Sequence, residues 1–422
     1  MLGMSDAFAS SGPANEGIAL IDHLNRLAAA AVKLGVNVQP EQELIITAPL
    51  EAAQFVRYAA RAAYRLGAST VTCLYDDADL LMDHSGATCK AVRKPASSWI
   101  ADGVAAALAG GAARLFVYGP RPDLLQGVDQ ARIIAAHQVM TEARRKETEH
   151  IAQNRTNWSS VPFATQSWAD LVSPTLTPDA ALISLWDAIY AACRVGAAEA
   201  DMDDVLVDWK THLQKQTSRR CALTACAFDA LRFRADGTDL RVGLAPAHSW
   251  RGGEALAGNG VRCVTAFPSE ALFTAPHCLK ADGRVALTRP IAIAGDLVED
   301  AVITFRNGSL ESIAARRGGA TLDTLLSSGP GGRRLGKIAL VPQSSPIGSR
   351  RRSYFNPLLD GAAATYLSFG QTDVSCLGPD GIGGNISAMR IDAMFGCAQL
   401  EVDGIRSDNS IQPLMRCGEF VS

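Results

Sequence analysis

Apolar residues recur at helical spacing in "ALIDHLNRLAAAAVKL", Ala19 to Leu34. The pattern then changes to a short apolar run ending at a proline, "ELIITAP", Glu43 to Pro49. Spacing of i, i+3, i+4 predicts an amphipathic helix, and a short run bounded by a breaker predicts a buried strand. The alternation continues. "EAAQFVRYAARAAYRLGA" predicts a helix closed by Gly67, and "STVTCLYDD" a second strand ending in Asp76 and Asp77. "ASSWIADGVAAALAGGA" and "ARLFVYGP" predict a further helix and a third strand. Strand, helix, strand, helix, strand with short joints predicts a parallel sheet covered by helices.

Past Ser173 the texture shifts. "SPTLTPDAALISLWDAIYAACRV" predicts a helix with Leu182, Leu185, Ile189 and Cys193 along its core stripe. "VLVDWKTHLQKQTSRR" predicts another, with His212 on its polar face. After about Ala225 short alternating runs take over. "FDALRFRADGTDLRVGLAP" predicts a hairpin turning at Asp236-Gly237, and "RNGS" marks a second. "KIALVP" predicts one more strand. The expected organisation is a tail over residues 1–17, an α/β domain over 18–175 and a β-rich domain over 176–422. No internal repeat is found.

Composition narrows the function classes. The 422 residues are 48% hydrophobic and carry a formal net charge of −3. That balance gives no expectation of nucleic acid or an anionic membrane as a partner. No apolar run reaches about 18 residues, so no membrane span is expected. The first residues lack a basic stretch followed by an apolar core, and a secretory signal is not expected. The ten cysteines are scattered without a C-x-x-C. Reduced thiols and a cytoplasmic location are the expectation. No G-x-G-x-x-G or P-loop follows a strand, so no nucleotide cofactor is expected.

"NISAMRIDAMFG", Asn385 to Gly396, places Arg390 and Asp392 two apart on a strand, hence on one face. It closes an ordered series: "GTDLRVGL", "HSWRGGE", "FPSEALFTAPH", "RRLGKIALVP", "FNPLLDGAAATYLSFG" and then "NISAMRIDAMFG". The first half adds "KLGVNVQPEQELIITAP", "AAYRLGASTV" and "WADLVSP". Together these resemble the thermophilic aminopeptidases, the family of aminopeptidase T and its relatives.

The resemblance implies an α/β domain, a β-rich domain, a homodimer, and removal of N-terminal residues from peptides by two metal ions. Such a site takes two glutamates, two histidines and an aspartate, which hold the cations and activate a water. Carried over, those positions fall on Ala271, Lys337, Tyr366, Arg390 and Asp392. The family's catalytic tyrosine falls on Asp373. Only Asp392 keeps its type, and no histidine follows His277. Guanidinium and protonated lysine are donor-only groups and cannot ligate a metal.

The expectation is therefore a site without metal or cofactor. Glu270, Tyr366 and Asp373 are its candidate acid–base groups. Lys337, Arg390, Asp392 and His277 are its candidate substrate-binding groups, and a small anionic molecule or a peptide is the expected ligand. The function expected first is a metal-independent enzyme on this scaffold. The alternatives are a non-catalytic binding protein and a metal-dependent aminopeptidase. The arginine run Arg350–Arg352 is expected to be a solvated loop leading toward the site. Cys263, Cys376 and Cys397 have no neighbouring histidine to activate them.

Overall fold

A computed structural model describes residues 14–76, 99–122, 142–196 and 201–421. The expected tail lies outside the described residues up to residue 13, and a helix begins at Ala14. Two compact units emerge: Met1–His212 with Glu254–Ser269, and Leu213–Gly253 with Glu270–Ser422. The boundary expected after residue 175 falls inside the first unit. Two helices, Pro178–Ala192 and the start of Met202–Cys226, continue that unit. Residues 254–269 return to it through Ser159 Oγ, which donates to Val264 O, and Asn259 Nδ2, which donates to Asn157 Oδ1.

The first unit holds four parallel strands in the order β2-β1-β3-β4. They are β1 (Glu43–Pro49), β2 (Thr70–Asp76), β3 (Ala113–Tyr118) and β4 (Trp158–Pro162). Helices Ala53–Arg65 and Trp99–Ala109 follow β1 and β2 as their spacing predicts. Gly67, at φ +90°, ends the first of these. Strand β4 carries no apolar run that would predict it: "WSSVP" has two serines and a terminal proline. Of the acidic pair after β2, Asp76 ion-pairs with Arg144, while Asp77 lies outside the described residues. No helix among the described residues is long and apolar enough to cross a membrane.

The second unit is β-rich. An eight-stranded sheet has the order β10-β9-β8-β6-β5-β14-β15-β16. Its strands are β5 (Ala230–Ala235), β6 (Thr238–Leu244), β8 (Pro276–Ala286), β9 (Val302–Arg306), β10 (Ser309–Ala314), β14 (Glu401–Ile405), β15 (Ile411–Arg416) and β16 (Glu419–Phe420). Both expected hairpins form. Asn307 and Gly308 are left-handed at φ 50° and 77°, as a two-residue turn of this kind requires. A four-stranded antiparallel sheet has the order β13-β12-β11-β7. It comprises β7 (Leu272–Thr274), β11 (Leu335–Leu340), β12 (Tyr366–Gly370) and β13 (Arg390–Met394). Leu231, Phe233, Leu240 and Val242 of the larger sheet share one core with Ile338, Leu340, Leu367, Phe369 and Ile391 of the smaller.

Candidate functional site

The smaller sheet has one apolar and one chemical face. Leu335 pairs with Phe369, but the next partners are Lys337 and Ser368. One extra residue, Gly336, is thus inserted into β11, and a one-residue slip reverses every later side chain. The bulge takes Lys337 off the core face that Leu335 occupies and aims it to the other side. Ile338 and Leu340 then fill the core. A Cβ at Gly336 would collide with the carbonyl oxygens of Gly370 and Gln371, so glycine is required here. Gly336→Ala is expected to destabilise the protein by roughly 1–3 kcal/mol, read as a lower urea midpoint. An unchanged midpoint would show that the ladder closes equally well without the bulge.

Directly opposed residues of an antiparallel sheet share a face. Lys337 faces Ser368, and Ser368 faces Asp392, so the three form a row across β11, β12 and β13. The next row is Phe273, Ala339, Tyr366 and Met394. Ala271, Phe273 and Tyr366 pack in one cluster. Lys337 Nζ lies 3.2 Å from Tyr366 Oη, 4.4 Å from the Phe273 ring centre and 5.3 Å from that of Tyr366. Lys337 is only 5% exposed, and no carboxylate among the described residues is within ion-pair distance. The two rings offset part of its desolvation, a cation–π term of up to about 2 kcal/mol when buried.

Arg390 opens β13 with its side chain 45% exposed; Asp392 is 13% exposed. Arg390 Nε lies 3.2 Å from Asp392 Oδ1, which also accepts from Ser368 Oγ. Among the described residues neither Nη atom of Arg390 has a hydrogen-bond partner. Burial works against the guanidinium charge, but Asp392, Tyr366 and Asp373 outweigh it and raise the Arg390 pKa. Burial likewise pushes the Asp392 carboxyl up, and Arg390, Lys337 and the Ser368 bond bring it below its ordinary value. Lys337, Arg390 and Asp392 are therefore electrostatically one group.

Four of the seven expected residues meet on this face: Lys337, Tyr366, Arg390 and Asp392. Asp373 lies just beyond β12, and its Oδ1 accepts from Ser375 N at 3.0 Å and Ser375 Oγ at 2.6 Å. It caps the turn Val374–Cys376. Glu270 is buried ahead of β7; its carbonyl accepts from Gln216 Nε2, and its charge acts on Arg219. His277 stands in β8, with Nδ1 accepting from Leu279 N. Burial first, and then Lys280, lowers its pKa. Hydrogen bonding thus ties His277 to its own strand rather than to the row.

Ser368 and Phe273 belong to the face and were not singled out by sequence. Ser368 sits two residues from Tyr366, which was the available signal. Burial pushes the Cys263 and Cys376 thiols up, the reverse of a nucleophile. His212 is placed between Ser269 O, 2.6 Å from Nε2, and Arg194, 3.0 Å from Nδ1. Among the described residues no three His, Cys, Asp or Glu side chains group in a way that could hold a metal ion.

The thermophilic metalloprotease (M29) family model matches residues 21–420. This chain belongs to the M29 family. Aminopeptidase T of Thermus aquaticus is 38% identical over 410 residues, covering 96% of this chain and 99% of the relative. Aminopeptidase 2 of Geobacillus stearothermophilus is 32% identical, covering 94% and 97%. The solved structure of wild-type AmpT from Thermus thermophilus matches with a TM-score of 0.89 and 36% identity, over 95% of this chain and 99% of that one. The expected fold and family stand, an α/β unit and a β-rich unit of the aminopeptidase T type.

Proposed function

We propose that this M29 chain holds a small carboxylate-bearing molecule on the Lys337–Arg390 face and acts on it without paired metal ions. One observation carries the reading: two fixed cations and one carboxylate occupy the face. The donor set there does not fit a pair of divalent cations. Such a pair takes several carboxylates and imidazoles, and this face offers Asp392, Ser368 and Tyr366 beside two groups with no lone pair. An anion fits instead. The Arg390 fork matches a carboxylate in a bidentate pair, with Lys337 as a second cation. Tyr366 Oη, already bonded to Lys337, is the proton donor or acceptor closest to hand.

Binding without turnover is a second reading. Its support is the capping role of Asp373, which leaves Tyr366 without the acid–base partner expected from sequence.

The test is a thermal-shift screen of small carboxylates and phosphates, repeated on Arg390→Lys and Lys337→Met. Arg390→Lys keeps the charge and loses the fork, so affinity is expected to fall about ten-fold or more. Ligands that stabilise both variants as well as the parent would place the anion site elsewhere.

A further inference from the structure

The face changes character along β12. Gly370 and Arg390 form its first row, and Lys337, Ser368 and Asp392 the second. Phe273, Ala339, Tyr366 and Met394 form the third, which has no charged member. Val341, Ala364 and Ala271 extend the apolar end. One side of a single sheet thus passes from charged to aromatic to aliphatic within a few residues.

The apolar end is covered unevenly. Tyr366 and Met394 are buried, and helix Pro357–Ala363 closes over them. A Cβ at Gly361 in that helix would lie 3.6 Å from the Tyr366 ring and 3.9 Å from Met394 Cε. Toward β7 the cover thins. Ala271 and Phe273 pack against the apolar cluster but stay only partly buried. Leu377, also partly buried, packs with Phe273 against Ala245, Ala275 and Cys376. The open apolar surface is therefore Ala271, Phe273 and Leu377, and Lys337 Nζ lies 4.4 Å from the Phe273 ring centre.

A carboxylate held by Lys337 has that aromatic surface beside it. Phosphate has no apolar part to place there. A dicarboxylate would desolvate its second charge against a ring that offers no donor. A hydrocarbon tail would instead cover the ring and the Ala271 methyl, where the resemblance puts a glutamate, and would gain with each methylene removed from water. We infer that the ligand is an amphipathic monocarboxylate, its carboxylate on Arg390 and Lys337 and its hydrocarbon tail along Phe273 and Ala271. This rests on the proposed anion site and adds the apolar half of the ligand.

The experiment titrates acetate, butanoate and hexanoate into the full chain by calorimetry. Affinity is expected to rise about two- to four-fold for each added methylene. Arg390→Lys should weaken all three acids by a similar factor and leave the hexanoate-to-acetate ratio in place. Phe273→Ala should flatten the series. Ala271→Ser, a smaller change that spares the fold, should reduce the hexanoate advantage and leave acetate unchanged; it decides the matter if Phe273→Ala does not fold. If the three acids bind equally and all weaken in Arg390→Lys, the anion site stands and the amphipathic inference falls. A chain-length dependence untouched by the substitutions at Phe273 and Ala271 would also overturn it. If no acid binds, or none responds to Arg390→Lys, both readings fall together.

Discussion

Dialysed protein is expected to retain well under one equivalent of zinc, cobalt or manganese, and to cleave amino-acid amide reporters at background rate. Metal-assisted hydrolysis depends on a cation that lowers the pKa of its bound water from 15.7 to about 7 and stabilises the charge of the attacked carbonyl. Here Lys337 and Arg390 stand where the resemblance puts two metal ligands, and Ala271 has no donor atom. A divalent ion at Asp392 would lie in the field of two positive groups, Arg390 and Lys337. Losing both metal roles costs orders of magnitude in rate. Melting temperature should also be indifferent to a strong chelator, since a metal contributes to stability only by binding the folded state. Robust cleavage abolished by a chelator, or two tightly held equivalents of metal, would overturn the assignment and restore the metal-dependent aminopeptidase reading.

What the sequence revealed, and what it hid, follows from how each feature is encoded. Strands β1 and β3 are apolar runs with breakers at their ends, so local pattern suffices. Strand β4 is stabilised by its neighbours β3 and the returning 254–269 segment, and "WSSVP" carries no local mark of that. The pair Arg390 and Asp392 was legible because a period of two is a local property. The position of Lys337 was not. Uninterrupted alternation puts it with Leu335 on the core face; only the register against β12 reveals the bulge at Gly336. Ser368 was hidden for a related reason, because its role comes from lying between Lys337 and Asp392 on two other strands. Residue type at ligand positions could be compared along the chain. Hydrogen-bond partners, such as Ser375 for Asp373, could not.

Asp360→Ala is expected to cost roughly 3–5 kcal/mol, the largest stability loss of any single substitution considered. Asp360 is 2% exposed in helix Pro357–Ala363, which leads directly into β12 and Tyr366. Its Oδ1 accepts from Tyr354 N at 2.9 Å and Arg289 Nη1 at 3.2 Å, and its Oδ2 from Asn356 N at 3.0 Å. Arg289, 8% exposed, also donates to Arg352 O. One carboxylate thus holds the end of the arginine run and the chain that follows it, a stretch that includes the left-handed residues Arg351 and Phe355 at φ 49° and 54°. Alanine would strand a buried guanidinium and two buried amides. A fall of about ten degrees in melting temperature is the readout, and a change under two degrees would refute the account.

Asp360→Asn should lose less, because its amide oxygen still accepts. Burial raises the Asp360 pKa despite Arg289 and the two amides. In the window between the ordinary carboxylate value and that raised value, the folded state holds more protons than the unfolded one. Parent stability therefore falls as pH rises through the window. Asp392, held low, contributes in the opposite sense: its stabilisation is present above the ordinary carboxylate range and lost as pH drops through its depressed value. Subtracting the Asp360→Asn profile from the parent profile isolates the first effect. The difference should slope downward with rising pH and then level off, and a flat difference would mean that Arg289 cancels the burial cost of Asp360 completely.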